Sequence, residues 1–212
     1  MYKIIECEQR SDEWFAARAG RVTGSRAADV TAKIKTGEAA ARRDYKLQLA
    51  IERLTGRPVE DGGFVSADMQ RGIDLEAVAR AEYVRRTGLA VRETGFVISE
   101  DMPIGCSVDG DVGEFRGILE IKCPKSWTHI QYLKAGALPP VYRSQVIHNM
   151  LVTDAQFCDF VSFDDRLPEG LQFFHIRYLR SANEMDAYRA ELNAFLVDVE
   201  TEYQALLELK AA

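Results

Sequence analysis

The sequence predicts an α/β domain, a mixed sheet of about five strands flanked by helices, and three observations point there. Short runs with strand-like alternation recur in the second half of the chain. Segments with apolar residues every three or four positions separate and flank them. Of the 212 residues, 47% are hydrophobic and 28% charged, enough for a sizeable core in one domain spanning 1–212.

Asp12 to Ala19 is predicted as a short helix with Ser11 as its N-cap and Gly20 as its stop. Thr23-Gly24-Ser25 opens a second helix reaching Lys33, and Lys35 to Glu38 forms a loop. Ala39 to Leu54 is a third helix, ended by Thr55-Gly56-Arg57-Pro58. A Gly-containing loop over Val59 to Val65 leads to a helix capped by Asp68 and stopped by Gly88. Its expected inward stripe is Met69, Ile73, Glu76/Ala77 and Tyr83/Val84. Glu76 then lies on the apolar face, where a carboxylate needs a partner.

Val91 to Ser99, Pro103 to Val108 and Gly117 to Lys122 read as strands. Ser126 to Ala135 and Pro140 to Val152 read as helices, the second with proline at its start. Gln156 to Phe163 and Gln172 to Leu179 alternate as two more strands. Ser181-Ala-Asn-Glu184 has the spacing of a capping box. The last helix carries Met185, Tyr188, Leu192, Phe195, Val199, Tyr203 and Leu206 as its core stripe.

Composition narrows the function. The formal net charge of −6 argues against a protein that coats DNA non-specifically, although Arg18, Arg21, Arg26, Lys33, Lys35, Arg42, Arg43 and Lys46 crowd the N-terminal part. No apolar run is long enough to span a membrane, and the start lacks the pattern of a signal peptide. A cytoplasmic protein is expected. Cys7, Cys106, Cys123 and Cys158 are dispersed, which disfavours zinc and iron–sulfur sites. The motifs of Walker-type nucleotide, zinc-protease and serine-hydrolase sites are absent.

The chemistry concentrates where the strands carry charge. Asp109 ends the run from Ile104, a polar turn follows, and Glu120 and Lys122 stand two apart in the next run. Strand periodicity puts Glu120 and Lys122 on one face, and a hairpin brings Asp109 beside them. An exposed Glu120–Lys122 pair would contribute only about 0–1 kcal/mol. The apolar flanks on both runs argue instead for a built site. Asp109 and Glu120 are hard oxygen ligands for a divalent cation, with the main-chain carbonyl of Ile121 as a further ligand and Glu76 as a fourth contributor. Lys122 can position or deprotonate an attacking water. Arg18, Thr23 and Ser25 before a helix start form a second candidate, an anion pocket that Ser107 joins if the two clusters meet.

These residues carry a family resemblance. Asp109 … Glu120-Ile-Lys122 resembles the PD-(D/E)xK nuclease signature. Five motifs occur in order over roughly residues 11 to 153. They are Trp14-x-x-x-Arg18-x-Gly20-x-x-Thr23-x-Ser25, Arg71-Gly72-x-x-x-Glu76, Cys106-Ser107-Val108-Asp109-Gly110, Leu119-Glu120-Ile121-Lys122-Cys123-Pro124, and Gln145-Val146 … Met150-x-Val152-Thr153. Together they resemble the phage lambda exonuclease (YqaJ-type) family.

The resemblance implies a restriction-endonuclease-like fold and a Mg²⁺-dependent exonuclease, with Mn²⁺ as a substitute and two ions per site. Such enzymes degrade the 5′-ended strand of duplex DNA and leave 3′ single-stranded tails for recombination. The resemblance makes Asp109, Glu120, Lys122 and Gln145 catalytic, with Glu76 beside the metals. It assigns Arg18, Ser25 and Ser107, with Thr23 near, to the 5′-phosphate. It puts Lys35 near the duplex end and Met69 as a wedge between parting strands. It further implies a homotrimeric ring, a single-strand annealing protein as partner and a phage or prophage origin within a bacterial host cell.

Two positions depart from the pattern. Val108 stands where the signature has proline, and Ile147 where the family often has a second glutamine, with Gln145 or His148 as its substitute. A PD-(D/E)xK endonuclease and a non-catalytic DNA-end-binding module are the competing readings.

Overall fold

The computed structural model describes residues 1–59 and 66–211. The expected loop over Val59 to Val65 lies outside them, apart from Val59. The first part of the chain contributes β1 (Tyr2–Ile5), α1 (Asp12–Arg18), β2 (Val22–Thr23), α2 (Ala27–Val30), α3 (Ala40–Thr55) and α4 (Ala67–Thr87). Then come β3 (Phe96–Ser99), β4 (Ile104–Cys106), β5 (Gly110–Val112) and β6 (Gly117–Lys122). The remainder is α5 (Ser126–Ala135), α6 (Pro140–Thr153), β7 (Phe157–Phe163), β8 (Phe173–Leu179) and α7 (Ala182–Ala211).

The strands form two four-stranded ladders, β1-β3-β4-β2 and β5-β6-β7-β8. The α/β class and the mixed pairing hold, since β2–β4 and β6–β7 are parallel and the other pairs antiparallel. The expected count of about five strands is corrected. β1, β2 and β5 escape periodicity because each is four residues or fewer and is held by its partner's hydrogen bonds. The strand expected from Val91 begins only at Phe96, with Arg92 joined to Asp111 by an isolated bridge.

Local chemistry sets most helix ends. Ser11 caps α1 through its hydroxyl, which accepts from Trp14 N. Gly56 and Gly88 end α3 and α4 in the left-handed region, at φ 67° and 70°, where a Cβ is strained. The expected second helix is much shorter. A 3₁₀ turn over Gly24–Arg26 precedes α2, which stops where Thr31 bonds back to the Ala28 carbonyl. Ser66 rather than Asp68 caps α4, its hydroxyl accepting from Met69 N. The capping-box glutamate is used elsewhere, since the Glu184 carboxylate accepts from Tyr178 and Arg143.

Two apolar clusters enclose β6. One gathers Tyr45, Leu49, Val97, Ile104, Ile118, Val146, Met150, Leu192 and Phe195 under α3, α6 and α7. The other packs Ala79 and Tyr83 of α4 on Val112, Leu119, Ile121, Val161 and Phe163. The inward face of α4 is therefore Leu75–Ala79–Tyr83, while Met69, Ala77 and Val84 of the expected stripe are exposed. Alternation along β6 sends Leu119 and Ile121 toward α4, and Ile118, Glu120 and Lys122 toward α6.

Candidate active site

The β5–β6 hairpin meets its sequence expectation. Asp109 sits just before β5; its N–H donates to the Leu119 carbonyl at 3.1 Å, and its Oδ2 accepts from Ile121 N at 2.6 Å. One turn of sheet thus ties Asp109 to the strand that bears Glu120 and Lys122. Glu120 is 1% exposed and collects three side-chain donors. Lys122 Nζ and Gln145 Nε2 reach Oε1, the latter at 2.6 Å, and Asn149 Nδ2 reaches Oε2 at 3.1 Å. Lys122 also lies 5.3 Å from the Tyr142 ring centre. Glu76 approaches from α4 and accepts from Arg80 at 2.8 Å, and Arg80 also donates to the Asp109 carbonyl at 2.9 Å.

The charges are strongly perturbed. Burial, then the Asp109 charge, pushes Glu76 up to about 7, with Arg80 and Lys122 opposing. Burial likewise raises Glu120 to about 7; Lys122 pulls it down and Asp109 pushes it up. Asp109 is raised by burial against the pull of Lys122 and the Ile121 N–H. Burial works against the Lys122 ammonium, yet Glu120 and Asp109 hold its pKa above the ordinary lysine value.

Three carboxylates therefore face Arg80 and Lys122, all crowded enough to resist ionisation. Among the described residues no three Asp, Glu, His or Cys side chains already form a metal cage. Glu120 is turned to its donors and Asp109 to the Ile121 N–H. The donor chemistry still fits a hard divalent cation, which would offset the cost of burying charge that raises Glu76, Asp109 and Glu120. Asp109, Glu120 and, behind Arg80, Glu76 are the side chains able to hold it.

The two sequence clusters meet at Ser107. Its Oγ accepts from Trp14 Nε1 at 2.7 Å, and the Arg18 guanidinium stacks 4.0 Å from the centre of the Trp14 ring. Arg18 reaches toward Thr23 Oγ1 at 3.5 Å, and burial lowers its pKa. Thr23 is itself pinned, its N–H donating to Tyr45 Oη at 3.0 Å, while Ser25 is exposed at the turn. A guanidinium and the hydroxyls of Thr23 and Ser107 thus gather around Trp14, with Ser107 two residues before Asp109.

Other expected residues stand apart. Lys35 is exposed in the loop after α2, and no hydrogen bond or ion pair ties it to the carboxylates. Met69 is 57% exposed and lines a cavity of about 160 Å³ with Arg71, Cys123, Lys125 and Arg166. His148 is no substitute for the absent glutamine. It is fully buried on another side of α6, between the Gly105 carbonyl and Tyr188 Oη, and burial lowers it to about 4. Two partners went unread in the sequence, Arg80 and Asn149. The signal for both was spacing, since each lies four residues after a candidate on the same helix, Glu76 and Gln145.

Comparison with known proteins gives the family and the fold. A family model described as a YqaJ-like viral recombinase domain matches residues 13–156. Two crystal structures of LHK-Exo, an alkaline exonuclease from Laribacter hongkongensis, are similar at TM-scores of 0.85 and 0.83, the first in complex with dAMP. Each is 42% identical and covers 95% of this chain and 98% of its own. A phage related exonuclease from Haemophilus somnus 129PT shares the fold, with a TM-score of 0.63 and 18% identity, covering 90% of this chain and 96% of its own. No curated protein matches the chain.

Proposed function

The chain belongs to the YqaJ-like viral recombinase family, and on that premise we propose that this DNA exonuclease is Mg²⁺-dependent, engages duplex ends and degrades the 5′-ended strand. The single observation that carries the reading is the meeting of Asp109, Glu120, Lys122 and Gln145 at one end of a hairpin, joined through Ser107 to Trp14 and Arg18.

The roles follow from chemistry. Arg18, Ser25 and Ser107, with Thr23 near, hold the 5′-phosphate by charge and hydrogen bonds. Asp109, Glu120 and the Ile121 carbonyl, with Glu76 close by, hold Mg²⁺. The ion, when bound, supplies Lewis-acid polarisation of the phosphodiester and lowers the pKa of the attacking water. Lys122, held as an ammonium by Glu120 and Asp109, positions that water and stabilises the hydroxide that forms from it, and Gln145 keeps the Glu120 carboxylate turned toward Lys122. Lys35 and Met69 act at the duplex end, where strands part. Mn²⁺ would substitute for Mg²⁺, and these residues would hold two ions per site. The enzyme acts as a homotrimeric ring in the cytoplasm of a bacterial host cell. It passes 3′-tailed DNA to a single-strand annealing protein.

The test is a comparison of closed-circular and linear forms of one plasmid with Mg²⁺. Digestion of the linear form alone is expected; cuts in the closed circle would indicate an endonuclease instead.

A further inference from the structure

Asn149 sits at the centre of α6, fully buried, and its amide has two unequal ends. Nδ2 donates to Glu120 Oε2 at 3.1 Å and is the side-chain donor to that oxygen among the described residues. Oδ1 is buried with no hydrogen-bond partner. Glu120 accepts from Lys122 and Gln145 at Oε1 and from Asn149 at Oε2, so a reversed amide would replace the donor to Oε2 with a second acceptor. The unpaired oxygen is therefore held toward whatever lies opposite, and that is Gly24. A Cβ built on Gly24 would stand 2.0 Å from Oδ1 and 3.1 Å from Cγ. Gly24 opens the 3₁₀ turn that presents Ser25. Neither side of this contact can yield easily. Val146 and Met150, both fully buried, anchor α6, and Thr23 N on Tyr45 anchors the turn. A buried acceptor without a partner in a packed core calls for an explanation beyond packing.

We propose that Asn149 is a positioning residue that couples the Gly24–Ser25 turn to the Glu120 carboxylate. A phosphate seated on the turn fixes Gly24 against one end of a rigid planar amide, and the other end sets the orientation of Oε2. Glycine at position 24 is what lets the amide reach both. This inference rests on the reading of Ser25 and Arg18 as a phosphate pocket and of Glu120 as a catalytic carboxylate.

The test is a double-mutant cycle of Gly24→Ala and Asn149→Ala on the full chain, read in two ways. By thermal melting, Gly24→Ala destabilises the wild type, whereas in the Asn149→Ala background the vacated space makes the same substitution nearly neutral. Additive melting shifts would show that Gly24 and Asn149 are not in contact and would overturn the proposal. By kinetics, Asn149→Ala lowers kcat about tenfold on 5′-phosphorylated duplex with little change in KM, because a donor to a charged acceptor is lost. Its kcat then no longer distinguishes 5′-phosphorylated from 5′-hydroxyl ends, while the KM preference for phosphate persists. Retention of the full kcat preference in Asn149→Ala would overturn the coupling. Asn149→Asp keeps the volume and loses the donor, so it reproduces the kcat loss without relieving Gly24→Ala. Relief by Asn149→Asp would overturn the steric argument. A wild type that cleaves neither end refutes the exonuclease reading instead, and the melting cycle then decides the Gly24–Asn149 contact.

Discussion

Trp14 Nε1 donates to Ser107 Oγ at 2.7 Å, and this bond joins the first helix of the chain to the segment that ends in Asp109. The same indole carries the Arg18 guanidinium on its face. The candidate phosphate pocket and the candidate catalytic carboxylates are thus linked across 93 residues of sequence by one side chain.

Trp14→Phe keeps a ring under Arg18 and removes the donor to Ser107. The fold survives with a loss of about 0.5–1.5 kcal/mol, the usual worth of one such bond. The preference for 5′-phosphorylated ends falls while residual cutting of hydroxyl ends is retained. Urea unfolding and paired digestions of the two substrates check both parts.

Glu120→Gln and Lys122→Ala each reduce cleavage at least about a thousandfold while the melting transition stays cooperative, since the first weakens the cation site and the second removes the charge that positions the attacking water. A Glu120→Gln enzyme within tenfold of the wild type would remove Glu120 from the mechanism.

The pH dependence has a definite sign. Glu120 is raised from 4.5 to about 7, so between those values the folded protein binds more protons than the unfolded chain. This contribution to stability is full below pH 4.5 and declines as pH rises to about 7. His148, lowered from 6.5 to about 4, works in the opposite sense over an overlapping range. The clean readout is therefore a difference. In EDTA, the stability of Glu120→Gln relative to the wild type increases from pH 4.5 to 7; a flat difference contradicts the burial of an unfavourable charge.

Arg80 offsets the repulsion between Glu76 and Asp109. Arg80→Ala destabilises the metal-free protein by about 1–3 kcal/mol, the effect of unpairing buried polar groups. Mg²⁺ then raises the melting temperature of the variant more than that of the wild type, because a cation replaces the lost charge. Equal Mg²⁺ shifts in the two proteins would separate Arg80 from the metal-binding carboxylates.

Legibility in the sequence followed the strength of local signals. Glu120 and Lys122 were readable because strand alternation fixes which face they share, and Asp109 because a short polar turn implies a hairpin. The anion pocket was readable only in parts, since the Trp14–Ser107 bond depends on tertiary contact. A lone helical histidine is more often a satisfied structural residue, as His148 is, but α6 is buried around its circumference from Val146 to Met150, so periodicity does not tell which side meets the carboxylates. The stripe of α4 was misphased for the opposite reason. Its first turns are largely exposed, and apolar residues such as Met69 and Val78 lie in solvent rather than in the core.

The most direct measurement is digestion of a linear duplex with one 5′-phosphorylated and one 5′-hydroxyl end, each strand labelled at its 3′ end, in Mg²⁺ and in EDTA. The expected result is Mg²⁺-dependent loss of the 5′-phosphorylated strand first, starting at its 5′ end, with its complement intact. Loss from 3′ ends, or equal cutting in EDTA, would contradict the joint role of Asp109, Glu120 and the Arg18 pocket.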